Sequence, residues 1–188
     1  AGVDDVILTV RSTRHGPIIY VLDDRRKYAG TLLTLRWTAL AEPDQVMAAF
    51  INVDRASDYQ EFRDALRSYG APSQNFVYVD TAGNIGYQMP GSIPVRTDPA
   101  DLGLRPVPGW DGQHEWESYV PFDSLPTVYN PPSGRIVTAN NAPASGDLFI
   151  GYEFDFGDRA ARILQLIDEA GDNVSLDTLA TSSSSCSV

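Results

Sequence analysis

The chain has 188 residues, a length typical of one domain with a sizeable hydrophobic core. Lys and Arg number 14 and Asp and Glu 25, so the formal net charge is −11, which argues against nucleic acid or an anionic membrane as a partner. No apolar run approaches the ~18 residues of a membrane span, and one cysteine with two histidines cannot form a disulfide framework or a Cys/His zinc site within the chain.

The first part of the chain has strand patterns. Alternating apolar residues over 6–10 and a β-branched run over 18–22 predict two strands, joined by a bend at the His-Gly-Pro sequence of residues 15–17. Residues 31–38 resume the apolar pattern and predict a third strand.

Two helices are predicted next. Pro43 is expected as the first residue of a helix whose apolar positions are 46, 49, 50 and 53. Ser57 and Gln60 have the spacing of a capping box and predict the start of a second helix. Gly70 and Pro72 are expected to end it.

The second half combines a hairpin, an irregular region and a last helix. Residues 76–80 and 85–88 predict a β-hairpin around Thr-Ala-Gly-Asn. Ten of the thirteen prolines lie in residues 90–143, which predicts a long, ordered, extended coil on a surface. A helix is predicted from Asp158 to Gly171. Its inward face is expected to comprise Ala160, Ile163, Leu164 and Ile167.

The residue inventory contains no serine-hydrolase elbow, phosphate loop or zinc-protease motif. His15 is interpreted as a turn residue whose ring bonds a carbonyl rather than as a general base, because no acid partner can be named for it. His114 is expected to be exposed. Five aspartates could supply calcium ligands, but their spacing is not that of an EF-hand, so solvated charge is the favoured interpretation. These are Asp98, Asp101, Asp147, Asp155 and Asp158.

Six blocks of sequence, taken together and in order, carry a family resemblance. They are TRHGPII (13–19), LRWTAL (35–40), APSQNFVYVDTAGNIGYQMPG (71–91), PVPGW (106–110), YVPFDSLPTVYNPPSGRIVTANN (119–141) and GDRAARI (157–163). The chain resembles the large (β) subunit of the penicillin acylase, or penicillin amidase, family of N-terminal nucleophile hydrolases over roughly residues 6–180.

The resemblance implies an α+β fold, as part of the four-layer αββα sandwich of that class with the long proline-rich coil wrapped on it. Residues 1–180 are expected to be a fragment of the large-subunit domain. Residues 181–188 are expected to be a flexible serine-rich tail. Many family members are periplasmic or secreted, and the resemblance extends that expectation to this protein.

The resemblance also assigns site residues. Asn140 matches the family's asparagine that donates its side-chain amide to the oxyanion of the tetrahedral intermediate; the alternative is that Asn140 and Asn141 only bond loop backbone. Asn140 is expected at the end of a strand. Arg159 matches an arginine close to the nucleophile and is expected to be partly buried with a bonded guanidinium. Asp147 matches a ligand of the structural Ca²⁺ of the intact protein. A shortened loop after Asn141, and Gly103 where the family has a ligating proline, argue against calcium binding by this chain alone.

Family members use an N-terminal serine as nucleophile and its own α-amine as base. Residue 1 here is Ala, so the chain is expected to be an internal piece that is inactive alone. Its expected partners are the N-terminal part of the large subunit, the small subunit and an acyl-amide substrate, which could be a β-lactam side chain, an acyl-homoserine lactone or another N-acyl compound. An open sheet edge is expected to cause self-association. The alternative function is a non-catalytic module that binds a small molecule or glycan on exposed Trp110, Trp116 and Tyr119.

Overall fold

The computed structural model describes residues 7–21, 31–144, 146, 148–171 and 175. These residues form short strands in small antiparallel sheets together with three α-helices, which is a mixed α/β architecture. The strands are β1 (Ser12–Thr13), β2 (Gly16–Val21), β3 (Leu32–Thr34), β4 (Phe76–Val79), β5 (Ile85–Gln88), β6 (Pro94–Arg96), β7 (Trp116–Tyr119) and β8 (Thr127–Tyr129). The helices are α1 (Val46–Val53), α2 (Tyr59–Ala65) and α3 (Asp158–Ala170).

The first sheet has the order β1-β2-β3, with antiparallel pairing throughout. The bend between β1 and β2 lies where the sequence predicts it, but the strand predicted over 6–10 is wrong for its described residues, because 7–11 are irregular and the first strand begins at Ser12. Gly16 has a φ of +125° and lies against the carbonyl of Leu35, so a side chain there would collide with backbone.

Both early helices begin later than the sequence predicts. Helix α1 starts at Val46, not at Pro43, and the Asp44 carboxylate accepts a hydrogen bond from the Val46 N–H at 3.0 Å. A side-chain acceptor satisfies a free N–H at a helix start, a role that proline cannot take.

The capping box of α2 is displaced by one residue from the predicted one. Asp58 is the N-cap and accepts from the Glu61 N–H at 2.8 Å. The Glu61 carboxylate in turn accepts from the backbone N–H and the hydroxyl of Ser57. Gln60 has no part in the box, since its amide donates to Asp64. The acidic pair Asp58 and Glu61 thus forms the box in place of the predicted pair Ser57 and Gln60. Ionised carboxylates accept hydrogen bonds from N–H groups more strongly than neutral side chains do.

The core lies where α1 and α2 pack on the second sheet, which has the order β4-β5-β8. Its buried centre consists of Ala49, Phe62, Leu66 and Tyr69, surrounded by half-buried aliphatic and aromatic side chains. The Tyr59 ring stacks on Tyr129 with centroids 4.4 Å apart. This cluster therefore joins the helix pair to the predicted hairpin, which β4 and β5 confirm.

The proline-rich region is more regular than a coil. It contains the β6-β7 pair, β8 and a 3₁₀ turn over Phe122–Ser124, separated by irregular backbone. Pro94 is the first residue of β6, a position in which the missing N–H removes no ladder hydrogen bond. The prolines therefore limit the length of the strands in this region rather than prevent them.

Helix α3 is confirmed, with Gly171 directly after it. Ala160 is buried and Ile163 and Ile167 are half-buried, but Leu164 is exposed, so the inward face is narrower than predicted. No helix within the described parts of the chain is long and apolar enough to cross a membrane. The tail over 181–188 lies outside the described residues, and the four-layer sandwich stays a prediction.

Replacing Leu66 with Ala tests the core. Leu66 has 0% exposure, so we expect Leu66→Ala to lower the free energy of unfolding by about 2 to 5 kcal/mol through lost burial and a cavity. Leu8→Ala removes the same atoms at 80% exposure and should change the free energy of unfolding by less than about 0.5 kcal/mol. Urea unfolding followed by circular dichroism measures both, and equal effects would contradict the assigned core.

Candidate functional site

Asn140 lies in a left-handed turn, with a φ of +62°. Side chains other than glycine rarely adopt this backbone conformation, and asparagine is among those that tolerate it best. The Asn140 carbonyl accepts a hydrogen bond from the Asp155 N–H at 2.8 Å, and Asn141 forms an isolated parallel bridge with the same residue. Asn140 is therefore in a bend beside a single bridge, which corrects the expectation that it ends a strand.

The two neighbouring asparagines differ in what their amides bind. Asn141 accepts from the Ala139 N–H at 3.0 Å and donates to the Ala142 carbonyl at 3.3 Å, so it serves the loop backbone. Asn140 is exposed, and its Oδ1 accepts from Arg159 Nη1 at 3.3 Å. Its Nδ2 has no hydrogen-bond partner among the described residues. The loop-backbone alternative thus holds for Asn141, whereas the Asn140 amide keeps two unused N–H donors.

Arg159 is the second residue of α3, in its first turn. A cation is disfavoured at this end of a helix by the helix dipole, so the arginine needs another interaction to hold it. In the structure this interaction is the hydrogen bond from Arg159 to Asn140, which was one of the partners expected for the guanidinium. The expectation of partial burial is wrong, since Arg159 is exposed.

The segment that leads to Asn140 is fixed to the hairpin. Asn75 Nδ2 donates to Thr138 Oγ1 at 2.6 Å, and Asn75 Oδ1 accepts from the Tyr87 hydroxyl at 2.6 Å. Burial raises the pKa of Tyr87 to about 12, so the hydroxyl remains a proton donor at neutral pH. The core hairpin therefore positions the two residues before the turn.

The described residues do not assemble a calcium site. Asp147 lies outside them, and within the described ranges no group of three or more His, Cys, Asp or Glu side chains comes together. Asp101 binds His114 and Asp155 caps the Gly157 N–H. The guanidinium of Arg96 lies close to Gly103, and its positive charge disfavours the binding of a cation at this position.

A charged cluster that the sequence did not predict is centred on Glu115. The Glu115 carboxylate accepts from Arg14 at 2.6 Å, from Arg36 at 2.7 Å and from His15 Nε2 at 3.0 Å. His15 thus has an acid partner, which corrects the interpretation that its ring bonds a carbonyl. The hydrogen bond from His15, and after it that from Arg36, hold the pKa of Glu115 below its ordinary value of 4.5 against partial desolvation.

This cluster is a structural junction between two sheets. Arg14 and His15 lie in the β1-β2 bend, Arg36 lies just after β3, and Glu115 precedes β7. Arg14 also donates to the Gly109 carbonyl at 3.1 Å. The histidine is therefore engaged in holding the sheets together. Neither its ring nor that of His114 is hydrogen-bonded to a hydroxyl among the described residues.

His114 and Trp116 also differ from expectation, whereas Trp110 and Tyr119 are exposed as expected. His114 is half-buried, not exposed, and its Nδ1 lies 2.6 Å from Asp101 Oδ2. Trp116 is half-buried with the guanidinium of Arg36 4.6 Å from its ring centroid, so it is not part of a free aromatic platform. Trp110 is exposed.

The family model described as penicillin amidase matches residues 1–184. The chain belongs to the penicillin amidase family. Among its relatives is penicillin acylase 2 proenzyme of Pseudomonas sp. (strain SE83), which is 39% identical over 146 residues, or 78% of this chain and 18% of the relative. Acyl-homoserine lactone acylase QuiP of Pseudomonas aeruginosa is 32% identical over 179 residues, or 90% of this chain and 20% of that protein.

A solved structure of a family member has the same fold. Thermostable penicillin G acylase from Alcaligenes faecalis superposes with a TM-score of 0.80 at 31% identity, covering 99% of this chain and 32% of that one. The chain therefore spans about a fifth of the length of these curated relatives and about a third of the solved chain. The resemblance stated from the sequence blocks is confirmed.

Acid should weaken the Glu115 junction. Because the folded-state pKa of Glu115 is lowered, its contribution to stability is present above the pKa of the unfolded chain and is lost as the pH falls through the folded-state pKa. We expect Glu115→Gln to unfold at lower urea concentration than the unsubstituted chain at pH 7, and the difference to shrink steadily below pH 4.5, the ordinary pKa.

Glu117→Gln is the matched control, because Glu117 is exposed and has no ion pair or hydrogen bond among the described residues. Its urea midpoint should follow that of the unsubstituted chain at every pH. A Glu115→Gln difference that does not depend on pH would contradict the ionic role of this carboxylate.

Proposed function

We propose that the chain is part of a penicillin-acylase-type amidohydrolase, in which Asn140 donates its side-chain N–H to the oxyanion of the tetrahedral intermediate. The observation that carries this proposal is the Asn140 amide itself, with strained left-handed backbone, Oδ1 bonded to Arg159 and Nδ2 unused among the described residues. Backbone strain of this kind is concentrated at functional sites.

A comparison within the chain supports this reading of the amide. Asn130 also has a positive φ, of 46°. Its Oδ1 accepts from the Ile85 N–H at 2.9 Å and its Nδ2 donates to Asn84 at 2.8 Å, so both ends of its amide serve the hairpin. Asn140 also has a positive φ, but its N–H donors bind no other group among the described residues. Preorganised donors aimed at developing negative charge are a large source of rate enhancement.

Arg159 is proposed as a positioning residue. An amide presents an acceptor on one side and two donors on the other. With Oδ1 held by the guanidinium, the NH₂ group is directed away from Arg159 and the amide cannot turn over without losing a charge-assisted hydrogen bond. Arg159 therefore fixes which end of the Asn140 side chain meets the substrate.

We propose that the nucleophile comes from a part of the protein other than the described residues. No hydroxyl among them is hydrogen-bonded to a histidine ring, so they offer no Ser-His or Thr-His pair. An N-terminal serine that uses its own α-amine as base is the nucleophile that the family resemblance implies. The remaining parts of the large subunit and the small subunit are the proposed partners. A structural calcium ion is proposed only for the intact protein, with Asp147 and ligands from those parts.

The proposed substrate is an N-acyl amide. The relatives are named as penicillin acylases and as acyl-homoserine lactone acylases. Both names describe removal of an acyl group, so a β-lactam side chain and an acyl-homoserine lactone are the two candidates. In either case the oxyanion forms on the acyl carbonyl, and the proposed role of Asn140 is the same.

Asn140→Ala is the direct test of the proposed donor. In the full-length protein this substitution should lower kcat by about 10² to 10³ with little change in KM, because the lost hydrogen bond is made mainly in the transition state. Steady-state kinetics with a chromogenic acyl anilide measures this, with the urea midpoint as the check on folding. An unchanged kcat would contradict the assignment.

Two further variants test separately the N–H donors of Asn140 and the planar guanidinium of Arg159. Asn140→Asp keeps the acceptor for Arg159 and removes the N–H donors, so it should lose as much kcat as Asn140→Ala. Arg159→Lys keeps the charge and removes the planar fork, so it should not restore full activity. Arg162→Lys, on the same helix and without a hydrogen bond or ion pair among the described residues, is the control and should retain normal kcat.

The 188-residue chain alone should hydrolyse no acyl amide. Asn140 and Arg159 can bind and polarise a carbonyl, but without a positioned base water attacks an amide too slowly to measure. Turnover of a phenylacetyl or long-chain acyl anilide should appear only when the chain is combined with the rest of the protein, and Ala1→Ser should not change this. Turnover by the lone chain that is lost on substituting Asn140 would contradict the proposal.

The exposed apolar surface of the first sheet is proposed to pack against the rest of the protein. The exposed apolar side chains of the sheet are Ile19, Tyr20 and Leu32, and those of its flanking segments are Ile7, Leu8, Val10, Leu35, Trp37 and Leu40. In the isolated chain we expect this surface to cause dimers or larger species, detected by light scattering. Ile19→Lys should reduce them, whereas Met47→Lys, on an exposed part of α1, should not. A monomer at high concentration with low dye binding would contradict this expectation.

A further inference from the structure

A chain of three side chains joins the hairpin to the turn at Asn140. The Tyr87 hydroxyl donates to Asn75 Oδ1 at 2.6 Å, and Asn75 Nδ2 donates to Thr138 Oγ1, also at 2.6 Å. Asn75 and Thr138 are 63 residues apart in the sequence, and Thr138 lies two residues before Asn140. The Asn75 amide therefore ties a distant part of the chain to the segment that carries the proposed donor.

The hairpin end of this chain of bonds is held by the core. Asn75 directly precedes β4, and the next residue, Phe76, meets the ring of Tyr69 edge-on with centroids 5.2 Å apart. Tyr87 is buried in β5 and pairs with Val77 across the sheet. Because Asn75 is two residues before Val77, it lies diagonally opposite Tyr87 on the same face of the sheet. The anchor of the turn thus has a fixed position.

The other end of the chain of bonds reaches Asn140 through a short, well-held backbone. Ala139 is buried, and its N–H donates to Asn141 Oδ1 at 3.0 Å. The Asn140 carbonyl accepts from the Asp155 N–H at 2.8 Å. Since the backbone on both sides of Asn140 is bonded in this way, a shift of Thr138 is passed on to the Asn140 side chain.

Arg159 and Asn75 differ in what they fix. Arg159 bonds the Asn140 amide at 3.3 Å from an exposed position on α3. A long exposed side chain can follow its partner, so this bond orients the amide without fixing its place. The two bonds of Asn75 are shorter, at 2.6 Å, and begin at the core. The place of the Asn140 amide therefore depends on the hairpin, and its direction depends on Arg159.

We propose, on the basis of the donor role proposed for Asn140, that Asn75 is a positioning residue for the reaction, which holds the Asn140 amide in place through Thr138 while Tyr87 holds the Asn75 amide. Hydrogen-bond donors stabilise developing charge only from the correct distance. A misplacement of about 1 Å can lower the rate of an enzyme by about 10². Asn75 thus affects the transition state without touching the substrate.

Thr138→Val and Thr138→Ser are a matched pair that tests this role. Valine has the branched shape of threonine without the hydroxyl, so in the full-length protein Thr138→Val should lower kcat about tenfold or more with KM changed less than about twofold. Serine keeps the acceptor for Asn75 and should retain nearly normal kcat. Steady-state kinetics with a chromogenic acyl anilide measures both. Equal kcat values in the two variants would overturn the proposal.

Asn75→Ala is compared with Asn84→Ala in the same hairpin. Asn84 also has both ends of its amide bonded, since it donates to Asp80 at 2.7 Å and accepts from Asn130 at 2.8 Å. Both substitutions should lower the urea midpoint, because each removes two hydrogen bonds. Asn75→Ala alone should also lower kcat about tenfold or more. Loss of kcat in both variants, or in neither, would overturn the positioning role.

The Asn140→Ala background separates this role from the donor role itself. If Thr138 acts through Asn140, Thr138→Val should change kcat less than about twofold once Asn140 is alanine. A further loss of about tenfold in that background would overturn the proposal, because Thr138 would then act elsewhere. A normal kcat in Asn140→Ala would contradict the donor role, whereas a reduced kcat there with a normal kcat in Thr138→Val would overturn the positioning role alone.

Discussion

Asn140 has a left-handed backbone, and this turn brings residues 138–141 against the start of α3. A residue held in a sparsely populated region of φ/ψ costs about 1 to 3 kcal/mol, less for asparagine, so neighbouring contacts must over-determine it. The structure supplies them on both sides: Asp155 donates to the Asn140 carbonyl, and Asn75 holds Thr138. With the turn in place, Arg159 reaches the Asn140 amide and orients it.

The framework that supports this turn is held together in two different ways. Around α1, α2 and the hairpin the chain uses a buried apolar cluster centred on Leu66. The first sheet is instead joined to β7 by the Glu115 carboxylate and its partners Arg14, His15 and Arg36, and several apolar side chains of the sheet and its flanking segments are exposed. Apolar packing withstands changes of pH, whereas an ionic junction does not. The exposed surface and the acid-sensitive junction therefore lie in the same part of the chain.

The sequence predicted the elements that depend on local patterns and missed those that depend on distant contacts. The hairpin and α3 are recovered because alternation, a turn glycine and a stop glycine lie next to each other in the chain. The partners of Glu115 lie 79 to 101 residues away, so no local signal could assign them. Helix starts moved by one to three residues, because the carboxylates of Asp44 and Asp58 bind the first N–H groups of α1 and α2, which were expected to begin at Pro43 and just after Ser57.

The candidate site was predictable only through family resemblance. Asn140 and Arg159 are 19 residues apart, and nothing in composition or spacing distinguishes them from loop and surface residues. The TANN and GDRAARI blocks assigned them, and the family match over residues 1–184 supports those blocks. Asn140 was one of several hydrogen-bond partners expected for the Arg159 guanidinium.

The central claim is that the unused donors of Asn140 face the reacting carbonyl. A crystal structure of the full-length protein with an arylalkyl boronate, which forms a tetrahedral adduct on a serine hydroxyl, measures this directly. The account predicts that Asn140 Nδ2 lies about 2.7 to 3.1 Å from a boronate oxygen while Oδ1 still accepts from Arg159. An adduct whose oxygens contact other donors, with the Asn140 amide turned away, would contradict it.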